Sequence, residues 1–305
     1  MKRLVGISTT NLQAKFGDAE ALRIAKSVGA DAVDFNTSAY SLDYRKPESI
    51  FAKSDDEIYS YYRGLKKLAD ELGVFICQTH GRISGFKNIA SEDDALVENM
   101  RRDCIACSAL EAKYCVVHSS TTIHLGPDAP SSLMHAINFD MFNKFIPLAK
   151  KYGLIIASET FGDAAKYDCC DFFGNIDEFE KSYKDVCAVG DNAQYMAICM
   201  DTGHSNKAMR FNNNPTPADV IRRLGSNIKV LHLNDNDTLT DQHKIPLTGC
   251  IDWEDVFNAL DEICYDGVYN MELNLSAIGG KNLEIDTADY AVKVMRNLLK
   301  NRYGV

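Results

Sequence analysis

The sequence has no run of about 18 apolar residues, so it offers no segment to span a membrane. Its opening stretch, MKRLVGISTTNLQAKFGD, carries basic side chains but too short an apolar run for a secretory signal. Cationic excess is missing as well. Against 43 Asp and Glu stand 33 Lys and Arg, a formal net charge of −10. A chain this acidic repels phosphate backbones, and nucleic acid is not an expected partner. The ten cysteines lack the spacing of a disulfide framework. Cys77, Cys115 and Cys199 fall in apolar segments, and Cys104 and Cys107 form a CxxC inside a helical pattern. They read as buried reduced thiols rather than zinc or redox groups, a composition that suits a reducing cytoplasm.

What is present is an alternation. Apolar runs of strand length occur at 4–8, 32–36, 74–80, 114–119, 154–160, 196–201, 228–233 and 268–273. Amphipathic helical patterns lie between them, among them 54–72, 92–110, 134–152, 252–264 and 287–300. Eight such units in series predict a parallel sheet whose strands are buried on both faces. The helix-to-strand connections are short. Six carry a glycine expected to stop the helix in a left-handed turn: Gly29, Gly73, Gly153, Gly190, Gly225 and Gly267. The strand-to-helix connections are long. This asymmetry predicts a (β/α)8 TIM barrel, an α/β fold in a single domain over residues 1–305, with its active site built from the long loops. An open doubly wound sheet is the alternative. It usually needs a glycine-rich phosphate loop after the first strand, and ISTTNLQAKFG does not supply one.

The ligand-type residues gather where those long loops begin. The stretch VLHLNDNDTLTDQHKIPLTG ends an apolar strand in a crowd of imidazoles and carboxylates. His80, His118, His204 and His232 close or directly follow strands, and His243 lies in the loop after the seventh. Glu159, Asp201 and Glu272 also stand at strand ends. In a barrel all these ends meet on one rim, so five of the seven histidines share it. Each residue alone is readily a solvated or hydrogen-bonded structural group. Together, several buried carboxylates need a cation to neutralise them. Asp201 and His204, three apart across an expected tight turn at Gly203, can point to one spot. Asp241 and His243, two apart in an expected extended segment, can do the same. A mixed N/O set without cysteine suits one divalent Zn, Mn, Co or Fe ion.

These ends, in this order, resemble the xylose-isomerase-like barrel superfamily. It holds sugar and sugar-phosphate isomerases and epimerases, inosose isomerases and dehydratases, and the endonuclease IV type of AP endonuclease. The resemblance covers essentially the whole chain. Its most specific pieces are MDTGHSN, VLHLNDND followed by DQH, the IDW at 251–253, and the glutamate of YNMEL. It implies an isomerase-type metal set of Glu159, Asp201, His232 and Glu272. In the endonuclease branch further ligands match His80, His118, His204, Asp241 and His243, which in isomerase-like members also serve as substrate contacts. Two stretches depart from the pattern. Pro246-Leu247-Thr248-Gly249 replaces the usual Pro-Gly-x-Gly. NDNDTL lacks the arginine that ketose 3-epimerases carry after the His232 position.

The chemistry this implies is metal-dependent isomerisation or epimerisation of a sugar, sugar phosphate or keto-sugar. A proton is removed beside a carbonyl, and the metal stabilises the enediolate. Glu159 and Glu272 are the expected acid–base pair. The same first step gives dehydration or lyase chemistry on an oxidised sugar or inosose that bears a leaving group. Other readings are a multinuclear zinc phosphodiesterase, and a barrel that only binds sugar or serves as a complex subunit. Trp253 is a candidate pocket wall or a packing residue. Lys166 and Arg210 are solvated charges or anion contacts. The expected partner is a small carbohydrate, with no membrane; a homo-oligomer stays open.

Overall fold

The computed structural model describes residues 3–39, 41–211, 213–276 and 282–304. Part of the long loop expected after the last strand lies outside them. The strands are β1 (Val5–Ser8), β2 (Ala32–Asn36), β3 (Phe75–His80), β4 (Tyr114–Val117) and β5 (Ile155–Glu159). A small antiparallel hairpin follows, β6 (Asp163–Ala164) and β7 (Cys169–Cys170). Then come β8 (Met196–Asp201), β9 (Ile228–His232) and β10 (Tyr269–Met271). All but the hairpin form one eight-stranded sheet in the order β10-β1-β2-β3-β4-β5-β8-β9, with parallel pairing throughout. The two ends meet at a single parallel bridge between Leu233 and Met271. There Leu233 N–H donates to the Asn270 carbonyl at 2.8 Å. The structure is thus the predicted TIM barrel, and each predicted run contains its strand. The hairpin in the loop after β5 was not expected.

The helices form for local reasons the sequence already carries. In Asp55–Leu72, Ser54 accepts from Glu57 N–H while the Glu57 carboxylate accepts from Ser54 N–H, a reciprocal capping box. Ile58, Tyr62, Leu65 and Ala69 form its one buried stripe, and Gly73 ends it at φ 66°. Five of the six expected glycine stops have positive φ. Gly267 does not. Cys264 takes the left-handed turn there, at φ 56°. A Cβ on Gly267 would stand 2.4 Å from the Tyr265 hydroxyl oxygen, so close packing, not helix stopping, requires glycine there.

Side chains alternate across each strand, and this alternation positions the site. Val116, Ala157, Ala197, Cys199 and Val230 form a small apolar cluster of their own, separate from the large core between strands and helices. Two residues further along the same strand faces stand His118, Glu159, Asp201 and His232. Small apolar residues therefore fill the barrel interior, and the next inward position on each strand carries a ligand-type group.

Candidate metal centre

Glu159, Asp201 and His232 are fully buried; Glu272, at the end of β10, keeps 15% of its side chain exposed. His232 Nδ1 lies 3.1 Å from Glu159 Oε1 and 3.2 Å from Glu272 Oε2. His80 Nε2 sits between the two glutamates, 3.6 Å from Glu159 and 3.4 Å from Glu272. One ligand atom from each of His80, Glu159, His232 and Glu272 falls within 4.8 Å of the others. Donors about 2.0–2.2 Å from a shared ion span no more than this. Both Glu159 carboxylate oxygens and His232 Nδ1 are buried without a hydrogen-bond partner. Orphaned buried acceptors around one point fit a cation.

Asp201 stands beside this quartet. It groups with Glu159 and His204, and again with His243 and Glu272. The expected tight turn at DTGH is instead the first turn of a helix, Thr202–Ala208, because Asp201 caps it. Asp201 Oδ1 accepts from His204 N–H at 2.6 Å, and Oδ2 accepts from the Asn234 amide at 2.8 Å. Gly203 makes room for that amide, since a Cβ there would stand 1.8 Å from Asn234 Oδ1. A fourth group joins His204, Asp241 and His243. His243 is not in an extended segment, as expected from sequence, but sits at φ 44°, in the left-handed region that few residues other than glycine adopt. His118 enters none of the four groups; its Nε2 lies 3.0 Å from Glu159 Oε2. The nine residues named from sequence thus come together on the carboxyl-end rim.

An acceptor fixes one N–H on each of three imidazoles and so orients the ring. His232 Nε2–H donates to Asp34 Oδ2 at 2.8 Å, which leaves Nδ1 as the free donor atom toward the glutamates. His204 and His243 donate from Nδ1 to the carbonyls of Thr160 and Glu272, both at 3.1 Å, which leaves Nε2 facing Asp241. Outer partners of this kind orient ligating histidines and raise their basicity.

Burial alone would raise the Glu159 carboxyl, but the imidazoles of His232 and His118 hold it well below the usual carboxylate range. Glu272 is lowered in the same way, against burial, by His232, His80 and His243. Asp201 is raised by burial. Burial disfavours a charged His243, yet Asp241 and Glu272 lift it to about 9. The same balance, with Asp201 and Asp241, lifts His204 well above its ordinary value. Protons on these rings supply the positive charge that a bound cation would replace.

Several residues were not singled out from sequence. Asp34 shows itself only as an acid inside an apolar run, AVDFN, and is fully buried. Lys207 is 5% exposed, with Nζ 2.6 Å from Asp163 and 3.6 Å from Asp241. Arg210 binds Asp163 from the other side at 2.9 Å, and Lys166 is exposed. Phe161 packs against His118 and His204, with ring centroids 5.3 Å apart in each case. It, not Trp253, borders the site. Trp253 is buried in the core, where its indole N–H donates to Asp235 at 2.8 Å. Asp235 also accepts from Ile251 N–H, so the IDW segment serves to lock the ligand loop. Asp237 closes its own turn through Leu239 and Thr240 N–H.

Architecture and rim together define a TIM barrel with a histidine–carboxylate centre. Residues 22–298 match the family described as xylose isomerase-like TIM barrel, and the chain belongs to that family. It is 26% identical to an uncharacterised protein of Methanocaldococcus jannaschii over 183 residues, 57% of this chain and 58% of that one. The chain thus spans less than two thirds of that relative's length. Among solved structures it is similar to a D-tagatose 3-epimerase-like protein, with TM-score 0.71, 20% identity, and 98% and 99% of the two chains covered. It is similar also to an IolI protein with a bound zinc atom, with TM-score 0.67, 15% identity, and 98% and 97% covered.

Proposed function

We propose that this protein is a divalent-metal-dependent sugar isomerase or epimerase that moves a proton on the carbon beside a carbonyl. The observation that carries the reading is the convergence of Glu159 and Glu272 on His232 Nδ1, with the Glu159 oxygens buried and unpartnered. Glu159, Asp201, His232 and Glu272 would hold the ion, with His80 beside them. Zn, Mn, Co and Fe all suit this donor set. A divalent cation there supplies a Lewis acid for a carbonyl and the hydroxyl next to it. Glu159, kept ionised by its histidines, is placed to accept a proton. Glu272, more open, is placed to return one. His80 and His118 touch Glu159 and are placed to hold hydroxyls. Phe161 and the buried strand ends keep bulk water from the reacting carbon. With a leaving group one carbon further, the same start yields a lyase. The similar D-tagatose 3-epimerase-like fold supports a carbohydrate substrate, and ten unpaired thiols suit a cytoplasmic location. The test is a screen of ketoses, aldoses and inososes for solvent deuterium entering at the α-carbon, with and without added metal. Absence of exchange across the panel by metal-loaded protein defeats the proposal.

The interlocking ligand groups favour one second reading, a multinuclear phosphodiesterase. The net charge of −10 opposes it. Zinc-dependent incision of an abasic-site duplex at physiological salt would establish it in place of the first.

A further inference from the structure

The helix that Asp201 caps carries a lysine toward the rim. His204 and Lys207 are three residues apart in Thr202–Ala208, so they lie on one face of it. Both meet Asp241: His204 Nε2 lies 3.8 Å from Oδ2, and Lys207 Nζ 3.6 Å from Oδ1. Lys207 is buried, and a buried lysine needs counter-charge. Its nearest partner is Asp163, from the hairpin after β5, with Nζ 2.6 Å from Oδ1. Lys207 does not have that carboxylate to itself. Arg210 takes Oδ2 at 2.9 Å, and reaches the exposed Asp168 at 3.6 Å. Asp163 thus faces two cations, and part of the Lys207 charge is left directed at Asp241.

His204, Asp241 and His243 have the spacing of a metal site, but they lack what marks the inner set. The inner set brings together three carboxylates, Glu159, Asp201 and Glu272. Both Glu159 oxygens and His232 Nδ1 are buried there without a partner. The outer group has one carboxylate, already beside an ammonium. Its His243 Nε2 has a partner in Asp241 at 3.3 Å. Among the described residues, none of the buried unpartnered atoms belongs to His204 or His243.

We propose that Lys207 is a built-in cation that takes the place of a second metal ion at His204, Asp241 and His243, and so limits the centre to one ion. The inference rests on the reading of the inner set as a metal site. An ion on Asp241 would stand within about 8 Å of Nζ, the sum of the 3.6 Å contact, the width of the carboxylate and one bond of about 2 Å. At an effective dielectric of about 20, repulsion between a divalent ion and an ammonium at that distance weakens binding on the order of 10³-fold. Three carboxylates outweigh that repulsion in the inner set; a single one does not in the outer group. The proposal separates the two readings above. A phosphodiesterase working with several zinc ions needs the outer position, and an isomerase working with one does not.

The experiment is equilibrium dialysis of the whole protein against Zn²⁺ buffered at graded free concentrations, with metal per chain read by elemental analysis. Wild type is expected to level off at one ion per chain. Lys207→Met removes the charge at similar length and leaves Asp163 paired with Arg210, so no buried carboxylate is orphaned. It should take up a second ion at free zinc at least about 100-fold below any at which wild type does. Adding His243→Ala to it should remove that second ion. Lys207→Arg, which keeps the charge, should level off at one. Where the methionine variant does not fold, Lys207→Gln provides the same comparison. A wild type that binds two or more ions with similar affinity, a charge-removed variant that stays at one, or a gained ion that survives His243→Ala overturns the proposal and leaves the inner centre standing. A wild type that binds none removes the metal reading and this proposal with it.

Discussion

Replacing Asp34 by asparagine removes one charge while keeping nearly the same volume in a fully buried position. Asp34 touches no ion in the proposed arrangement. Its part is to accept from His232 Nε2–H at 2.8 Å, which fixes Nδ1 as the ligating atom. A buried hydrogen bond to a charged acceptor is worth about 1.5–3 kcal/mol, and to a neutral one about 1 kcal/mol. The difference, about 1–2 kcal/mol, corresponds to roughly 5- to 30-fold in affinity. Outer-shell carboxylates of this kind typically contribute about 10- to 100-fold to metal affinity, so the two estimates overlap. Asparagine can also turn its amide N–H toward the ring and favour the other tautomer, which moves the result toward the larger figure. The assay is competition for Mn²⁺ or Zn²⁺ against a chelator of known affinity, with thermal unfolding of metal-free protein as a control. The expected outcome is a metal affinity weakened by at least fivefold, with the fold retained. An affinity within twofold of wild type would show that Asp34 does not set which His232 nitrogen faces the ion.

Asp201→Ala and His232→Ala should each yield protein without bound metal by elemental analysis; a wild-type protein free of metal after growth with Mn and Zn contradicts the whole centre. Glu159→Gln and Glu272→Gln should each lower kcat by about 10²- to 10⁴-fold while substrate binding partly survives, whereas His243→Ala should act mainly on KM. A dispensable glutamate beside an essential His118 or His243 would make a histidine the base. The metal-stripped protein should lose stability as pH rises. The folded-state pKa of His243, about 9, lies above the unfolded value of about 6.5, so its contribution is complete below 6.5 and fades as pH approaches 9. A melting temperature of stripped protein that stays level or climbs from pH 6.5 to 9 contradicts that coupling.

The strands were legible because burial on both faces makes each a short continuous apolar run between turn residues. The rim was legible because a barrel brings every strand end to one place, so an inward-facing imidazole or carboxylate at the last position needs no further information. Asp34 was not legible. It sits inside its strand, and only the far side of the barrel, through His232, gives it a role. Lys207 was hidden for a similar reason: its partners Asp163 and Asp241 come from loops 44 and 34 residues away along the chain. His243 read as extended because no composition signal marks a left-handed histidine. Trp253 read equally as wall or packing, and its partner Asp235 lies on the loop it anchors, a choice that only three-dimensional contact decides.

A thin seam of the barrel, between β9 and β10, lies directly beneath the candidate ligands. Leu233 is bonded to Asn270 and Glu272, so the residues flanking the bridge are His232 on one side and Glu272 on the other. The ring therefore has a clasp, and an ion held by both residues, as proposed, would fasten it. Any ion that binds only the fastened ring adds its binding free energy, RT ln(1 + [L]/Kd), to ring closure. At free metal 100-fold above Kd that is about 2.7 kcal/mol. Under the proposed function, metal occupancy and the integrity of the ring would be one equilibrium, and amide hydrogen exchange along β9 and β10 should slow together as metal is added, ahead of strands on the opposite wall.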